Sequence, residues 1–292
     1  WEQAGKPQQW MIYGGGILSD TAAFAAALVG ARFTFVPTTL LAMADACVGG
    51  KTGVNFPPFG KNQVGLFDFP EQVIICERFL ETLSRRHLNA GGAECLKHAL
   101  LSRQRDLLQI VMQKLTLEPI QFGDDVMAKI IGVKADVISR DPNESGERAI
   151  LNLGHTLAHA LEAHCAKQGT SQQLYHGEAV AAGLFFMTYL SEQCGHLKGD
   201  TAEKMRQMLI ESTVMPPRSQ LNKALGQPLQ QQSFSGFMPF LQQDKKADGG
   251  ETRWVLLSNW GTVVKAGDNW TIAVSDSHLH QAWSRFVDGY IF

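Results

Sequence analysis

The chain has 292 residues, 45% hydrophobic and 18% charged, with a formal net charge of -2. That length exceeds what one core ordinarily serves, so about two domains are expected, and the apolar content excludes a disordered chain. The charge balance supplies no global positive field, which argues against nucleic acid and anionic membranes as partners.

Residues 10–13 form a short apolar run ending in Gly14-Gly15-Gly16, and alanine-rich helical character follows over 21–29, which reads as strand, glycine turn, helix. Residues 32–36 alternate bulky and β-branched side chains and stop at Pro37, as a second strand would. Residues 49–65 are rich in Gly, Pro, Asn and Lys and are expected to form a long functional loop, with 72–76 a third strand. From Ser84 the pattern becomes helical, with helices predicted over 85–102, 123–139, 147–166, 177–194 and 201–212. Residues 254–257 and 263–264 suggest a hairpin around 259–261, and a last helix is expected from Ser277. The segmentation is an α/β unit over 1–83 followed by a mainly α-helical unit over 84–292.

The apolar runs 22–31 and 179–190 fall short of the roughly 20 residues that cross a bilayer, so both read as buried helices. Five cysteines (Cys47, Cys76, Cys95, Cys165, Cys194) with no CxxC pair fit neither a disulfide framework nor a cysteine zinc site. Reduced thiols and a cytoplasmic location are expected.

Glycines between a strand and a helix let backbone N–H groups approach a pyrophosphate, so GGGILSD (14–20) reads as a nucleotide turn or as an ordinary tight turn. Thr38 and Thr39 stand at a strand end where α/β proteins hold ligands; a helix cap by Thr39 is the other reading. The loop DACVGGKTGVNFPPFGKN carries Asp45, Lys51, Asn55, Lys61 and Asn62 among glycines, a composition suited to phosphate or carboxylate. In AGGAECLKHALL, Glu94 and Lys97 are either an i, i+3 ion pair or include a carboxylate that completes a metal site with two histidines. Lys134, Glu144, Arg148 and Asn152 lead into LNLGHTLAHALEAHCAKQGTSQQLYHGE, where His155 and His159 share a helix face and His176 follows. Arg, Asn, His and His along one face point to a polar site.

Together, GGGILSD, VPTTLLAMADACVGGKTGVN, GKN, AGGAECLKH, LNLGHTLAHALE, HGEAV and a late DKK resemble the 3-dehydroquinate synthase family, in family order over nearly the whole chain. The resemblance implies a partial Rossmann-like nucleotide-binding domain followed by a helical metal-binding domain. It implies NAD and a divalent metal, zinc first and cobalt second, as cofactors, and a homodimer. The substrate it implies is the sugar phosphate 3-deoxy-D-arabino-heptulosonate 7-phosphate, converted to 3-dehydroquinate and phosphate; the nearest alternatives are another sugar phosphate cyclase of the sedoheptulose 7-phosphate type or an inactive homologue.

Carried over residue by residue, the resemblance makes Glu94, His155 and His176 the metal ligands and leaves His159 for the substrate. Asp45, Lys51, Asn62, Lys97, Lys134, Arg148 and Asn152 match substrate-pocket positions, with Lys61 near cofactor and phosphate. Gly16, Ile17, Leu18, Ser19, Asp20, Thr38, Thr39, Phe79, Leu80, Glu81 and Thr82 match NAD contacts, Lys51 serving both groups. Lys245 or Lys246 matches a late substrate lysine. Family members carry roughly 80 to 100 residues before the glycine motif, a domain-sized piece, so this chain is expected to start inside something longer. The stretch AAALVGAR lacks an arginine that the family directs at substrate phosphate across the dimer interface.

Overall fold

The computed structural model describes residues 9–56, 60–170, 173–243 and 252–291, with side chains there except those of 55, 56, 60–63, 105, 242 and 243. Strand β1 (Gln9–Gly14) leads through Gly15 into helix α1 (Gly16–Val29), which Gly30 ends in the left-handed region at φ 66°; β2 (Arg32–Pro37) follows. β1 and β2 pair in parallel from Gln9 opposite Arg32 to Gly14 opposite Pro37. One small core forms where Ile12, Phe33 and Phe35 meet the alanine stripe Ala23 and Ala26 of α1. Small residues there let helix and sheet approach closely.

A π-helical turn (Ala42–Ala46) carries the chain from the end of β2 toward the larger core. The expected long loop is instead an antiparallel hairpin, β3 (Lys51–Phe56) with β4 (Gly60–Phe67), its register shifting between Val54 and Phe56. Glycine-rich strands carry little β propensity, which is why composition reads as loop. The third strand is short, β5 (Gln72–Val73), and completes a parallel sheet of order β1-β2-β5. A 3₁₀ turn (Glu77–Leu80) precedes the helices.

The helical part comprises α2 (Arg85–Leu101), α3 (Arg105–Leu115), α4 (Asp124–Arg140), α5 (His155–Lys167), α6 (His176–Gln193), α7 (Gly199–Glu211), α8 (Arg218–Leu225), α9 (Met238–Gln243) and α10 (Asp276–Gly289). Strands β6 (Thr252–Trp254) and β9 (Ile272–Val274) pair antiparallel, and β7 (Leu257–Asn259) and β8 (Thr262–Val263) form the expected hairpin. α3 lies in a stretch where no helix is expected. The helix expected over 147–166 is divided: a 3₁₀ turn (Glu147–Asn152) ends before Gly154, at φ +77°, and α5 starts anew at His155. Only a residue without Cβ adopts that φ freely, and a Cβ there would also meet the Leu184 backbone nitrogen at 2.9 Å.

α6 is the axis of the larger core, buried along nearly its whole length from Gly177 to Ser191. α2 and α5 pack against it through glycines: a Cβ on Gly177 would sit 1.8 Å from the Ala90 carbonyl oxygen, and one on Gly183 would sit 1.9 Å from that of Gly154. These two crossings bring Glu94 of α2, His155 at the start of α5 and His176 at the start of α6 to one place. No helix among the described residues is long and apolar enough to cross a membrane.

Candidate metal centre and its pocket

Glu94 is fully buried in the middle of α2. Its Oε1 lies 3.3 Å from His155 Nε2 and 3.4 Å from His176 Nε2, while Oε2 lies 2.6 Å from Lys97 Nζ. Neither oxygen meets hydrogen-bond geometry with any of these groups, so the carboxylate is held by charge and stays open to a further partner. The three donor atoms all lie within 4.8 Å of one another. Ligands bonded at about 2.0–2.1 Å around a tetrahedral divalent ion stand ~3.3–3.4 Å apart. Both separations from Glu94 match that figure, so the donor set fits such a metal.

The far side of each ring is also occupied. His155 Nδ1 lies 3.2 Å from the Leu153 carbonyl and His176 Nδ1 lies 3.3 Å from Glu162 Oε1. Partners of that kind on the second nitrogen fix the tautomer that turns Nε2 toward a metal. Burial, then Lys97, lowers the His155 imidazole, keeping it neutral. Burial also works against charge on His176, but the adjacent carboxylates of Glu162 and then Glu94 overcome it and raise the imidazolium to about 10. His159 stands beside the pair, its ring 5.5 Å from that of His155 and 6.4 Å from that of His176.

A second cluster adjoins through Lys97. Asp45, delivered by the π turn, takes Lys97 Nζ on Oδ1 at 3.1 Å and Lys134 Nζ on Oδ2 at 2.8 Å, and its backbone carbonyl accepts from Lys134 at 2.7 Å. Burial would raise the Asp45 carboxyl, but Lys134 and Lys97 hold it well below the usual range. Burial alone would strip the Lys97 ammonium, yet Asp45 and Glu94 raise it above its ordinary value; for Lys134 burial prevails and the ammonium is lowered. His98, fully buried, reaches Asp45 Oδ1 at 3.3 Å. Asp45, Glu94 and His98 could together offer a second donor triangle, but Lys97 and Lys134 already neutralise Asp45, which makes it the poorer metal site.

Arg148 is buried and donates to the Pro142 carbonyl at 2.7 Å and the Gly49 carbonyl at 2.6 Å. In this arrangement it buttresses the glycine turn before β3. Its own position is set by Asp141, which accepts from the backbone nitrogens of Ser145 and Gly146 at 2.8 Å and of Arg148 at 2.9 Å. Lys51 forms an ion pair with Glu144, and Asn152 is exposed.

On the sheet side, Asp20 in the first turns of α1 feels the same charges: burial first, with Asp45 adding to it against Lys134, raises its carboxyl from 3.8 to about 6. The first turns of α1 and the lysine cluster therefore share one electrostatic environment. Gly15 faces Thr39 closely, and Thr39 Oγ1 accepts from Ala42 N at 3.2 Å, which is the capping role. Gly16 opens α1, Ile17 and Leu18 are exposed, Ser19 is buried against Cys47, and Thr38 N donates to Gly14 O. Phe79, Glu81 and Thr82 are exposed, whereas the Leu80 side chain belongs to the core and its carbonyl accepts from Leu83 N at 3.1 Å. The side chains of Asn55, Lys61 and Asn62, and Lys245 and Lys246 entirely, lie outside the described residues.

Sequence reasoning did not identify Glu162, His98, Asp141, Arg86 or Glu178. Three of them stand within the motif runs, His98 closing AGGAECLKH, Glu162 closing LNLGHTLAHALE and Glu178 in HGEAV.

Two family models match the chain. Residues 2–90 match the model described as 3-dehydroquinate synthase N-terminal, and residues 91–247 the model described as 3-dehydroquinate synthase C-terminal. A 3-dehydroquinate synthase of Rhodopseudomonas palustris is 38% identical over 271 residues, covering 87% of this chain and 66% of the relative. The chain thus spans about two thirds of that relative's length. Among solved structures, 2-deoxy-scyllo-inosose synthase complexed with carbaglucose-6-phosphate, NAD+ and Co2+ superposes with a TM-score of 0.80 at 23% identity, covering 97% of this chain and 76% of the other. The 2-epi-5-epi-valiolone synthase of Streptomyces hygroscopicus, with NAD+ and Zn2+ bound, gives 0.71 at 24% identity, covering 98% of this chain and 76% of the other. At that identity these two establish the fold.

Proposed function

The chain belongs to the 3-dehydroquinate synthase family, and on that premise we propose that it carries the metal and substrate machinery for converting 3-deoxy-D-arabino-heptulosonate 7-phosphate to 3-dehydroquinate and phosphate. The observation that carries this reading is the buried Glu94 carboxylate facing two imidazole Nε2 atoms at 3.3 and 3.4 Å, with Lys97 on its other oxygen. Glu94, His155 and His176 would hold the divalent ion. When bound, the ion would supply Lewis acidity toward a substrate hydroxyl and NAD would supply a reversible hydride acceptor. Bound NAD+ with Co2+ or Zn2+ in the two solved relatives supports both cofactors.

The chain's own side chains divide the remaining work. Lys97 and Lys134, kept in register by Asp45, form a paired cationic wall for carboxylate and phosphate groups. A substrate anion would join Asp45 at these ammonium groups, so that two cations face the resident carboxylate and the incoming charge together. His159, next to the ligand histidines, can exchange a proton with a substrate hydroxyl. Asp20, Thr38, Thr39 and the Gly14-Gly15-Gly16 turn would meet the dinucleotide, the turn through its backbone N–H groups. Arg148 supports the Gly49-Gly50 turn and through it the entry to β3. A homodimer in a reducing cytoplasm is part of the proposal, from the family and from thiols that are all free.

The test is release of inorganic phosphate from the heptulosonate phosphate with added NAD and Co2+ or Zn2+. Phosphate release without accumulation of NADH is the expected result. Stable binding of metal with no phosphate released would overturn the activity assigned to this chain, and turnover of sedoheptulose 7-phosphate instead would reassign the substrate.

A further inference from the structure

Of the His176-Gly177-Glu178 run that opens α6, the proposed centre uses only the histidine as a ligand. Glu178 is nonetheless buried, its side chain 4% exposed, and it receives Arg86 side-on: Nε to Oε1 at 2.6 Å and Nη2 to Oε2 at 2.8 Å. The same Nη2 donates to the Gln173 carbonyl at 2.7 Å, and the guanidinium lies 3.9 Å over the Tyr175 ring. Glu178 Oε2 also accepts from Tyr175 N at 2.7 Å. Arg86 therefore grips residues 173, 175 and 178, on both sides of His176.

The origin of the grip matters as much as its target. Arg86 is the second residue of α2, and Glu94 lies on that same helix two turns later. The fork thus ties the helix bearing Glu94 to the turn bearing His176. A planar fork on a carboxylate fixes direction as well as distance, which a lysine cannot reproduce. Glycine at 177 allows the two helices to touch, and Arg86 sets how the touching turn is oriented.

We propose that Arg86, acting through Glu178, is a positioning residue that holds His176 Nε2 at ligand distance from Glu94, an inference that rests on the metal reading above. It touches neither metal nor substrate. Its removal should loosen the angle of one ligand while leaving all three ligands in place. Partners of this indirect kind typically change metal affinity by about 10 to 100-fold.

The experiment measures Co2+ affinity of the full chain by competition with a chromophoric chelator, together with the visible Co2+ absorption spectrum and the melting temperature of metal-stripped protein. Variants are Arg86→Gln, Arg86→Lys, Glu178→Gln and, as the reference for a lost ligand, His176→Ala. Arg86→Gln and Glu178→Gln should each weaken Co2+ binding by about 10 to 100-fold and shift the d–d bands, measured well below their melting temperatures; Arg86→Lys, which keeps the charge and the stem, should fail to restore either. If Arg86→Gln proves unfolded, Arg86→Lys decides by the same two readouts. Affinity within about threefold of wild type with an unchanged spectrum, while His176→Ala abolishes binding, would overturn the positioning role alone. A wild-type chain that binds no Co2+ would overturn the metal reading, and this inference with it.

Discussion

The α2–α6 crossing gives the sharpest single prediction. A methyl added in Gly177→Ala would fall 1.8 Å from the Ala90 carbonyl oxygen, 2.4 Å from its carbon and 2.6 Å from Ala90 Cα, where ordinary contact starts at 3.4 Å. All three atoms are backbone, so no rotamer change relieves the clash, and the first turn of α6 must retreat by about 1.6 Å in a close-packed interior. His176 Nε2 would then stand ~5 Å from Glu94 Oε1, against the ~3.3–3.4 Å that a tetrahedral ion requires. Intrinsic helix preference favours alanine by up to about 1 kcal/mol, while overpacking of this kind costs about 1–3 kcal/mol or more. The net effect is destabilisation, with metal affinity lowered at least about 100-fold because a direct ligand has moved. The assay is chelator competition with Zn2+ plus thermal melting of metal-stripped protein. Gly132→Ala in α4, where an added Cβ meets nothing within 4 Å, is the control that should keep affinity and gain stability. Gly177→Ala retaining affinity within threefold would refute the reasoning.

Other expectations follow from the charges. Asp20 has a folded-state value of about 6 against 3.8 ordinarily, so the folded chain binds that proton more tightly; this contribution is present below pH 3.8 and is lost as pH rises through 6. Asp20→Asn should therefore stabilise by on the order of 1 kcal/mol at pH 8, after discounting for solvent access, and by nearly nothing at pH 4; equal shifts of melting temperature at both pH values would contradict it. Asp45→Asn leaves Lys97 and Lys134 facing each other half-compensated and should cost about 3 kcal/mol, or roughly 6–12 °C of melting temperature, an expectation that a change under 2 °C would defeat. Asp141, held well below the usual carboxylate range by the backbone N–H groups of Arg148, Ser145 and Gly146, should when changed to Asn speed amide hydrogen exchange at 145–148. Unchanged protection there would exclude Asp141 as the anchor of Arg148.

Much of the site was legible because its chemistry sits in short runs. GAEC, LGH and HGE each bring one of the proposed metal donors with the glycine or small residue that lets its helix approach a neighbour, and the resemblance reads these as a set. Helical phase alone selects His155 and His159, because i, i+4 spacing describes one helix and cannot see Glu94 arriving on another. The division of residues 147–166 escapes periodicity for a related reason: Gly154 imposes a left-handed backbone without interrupting the apolar pattern. The β3–β4 hairpin is hidden by its glycines. Supporting partners such as Glu162 for His176, His98 for Asp45 and Arg86 for Glu178 are contacts across 14, 53 and 92 positions, and no local pattern encodes them. Arg148 is a different case, since its residue type suggested an anion partner where the fold spends its donors on two carbonyls.

The most direct measurement is equilibrium dialysis of the metal-stripped chain against Zn2+, comparing wild type with Glu94→Gln and confirming by circular dichroism that both are folded. The wild-type chain should hold about one zinc and the variant should retain none. A folded Glu94→Gln chain that still holds one zinc with wild-type affinity would contradict the assignment of Glu94, His155 and His176 as the metal centre.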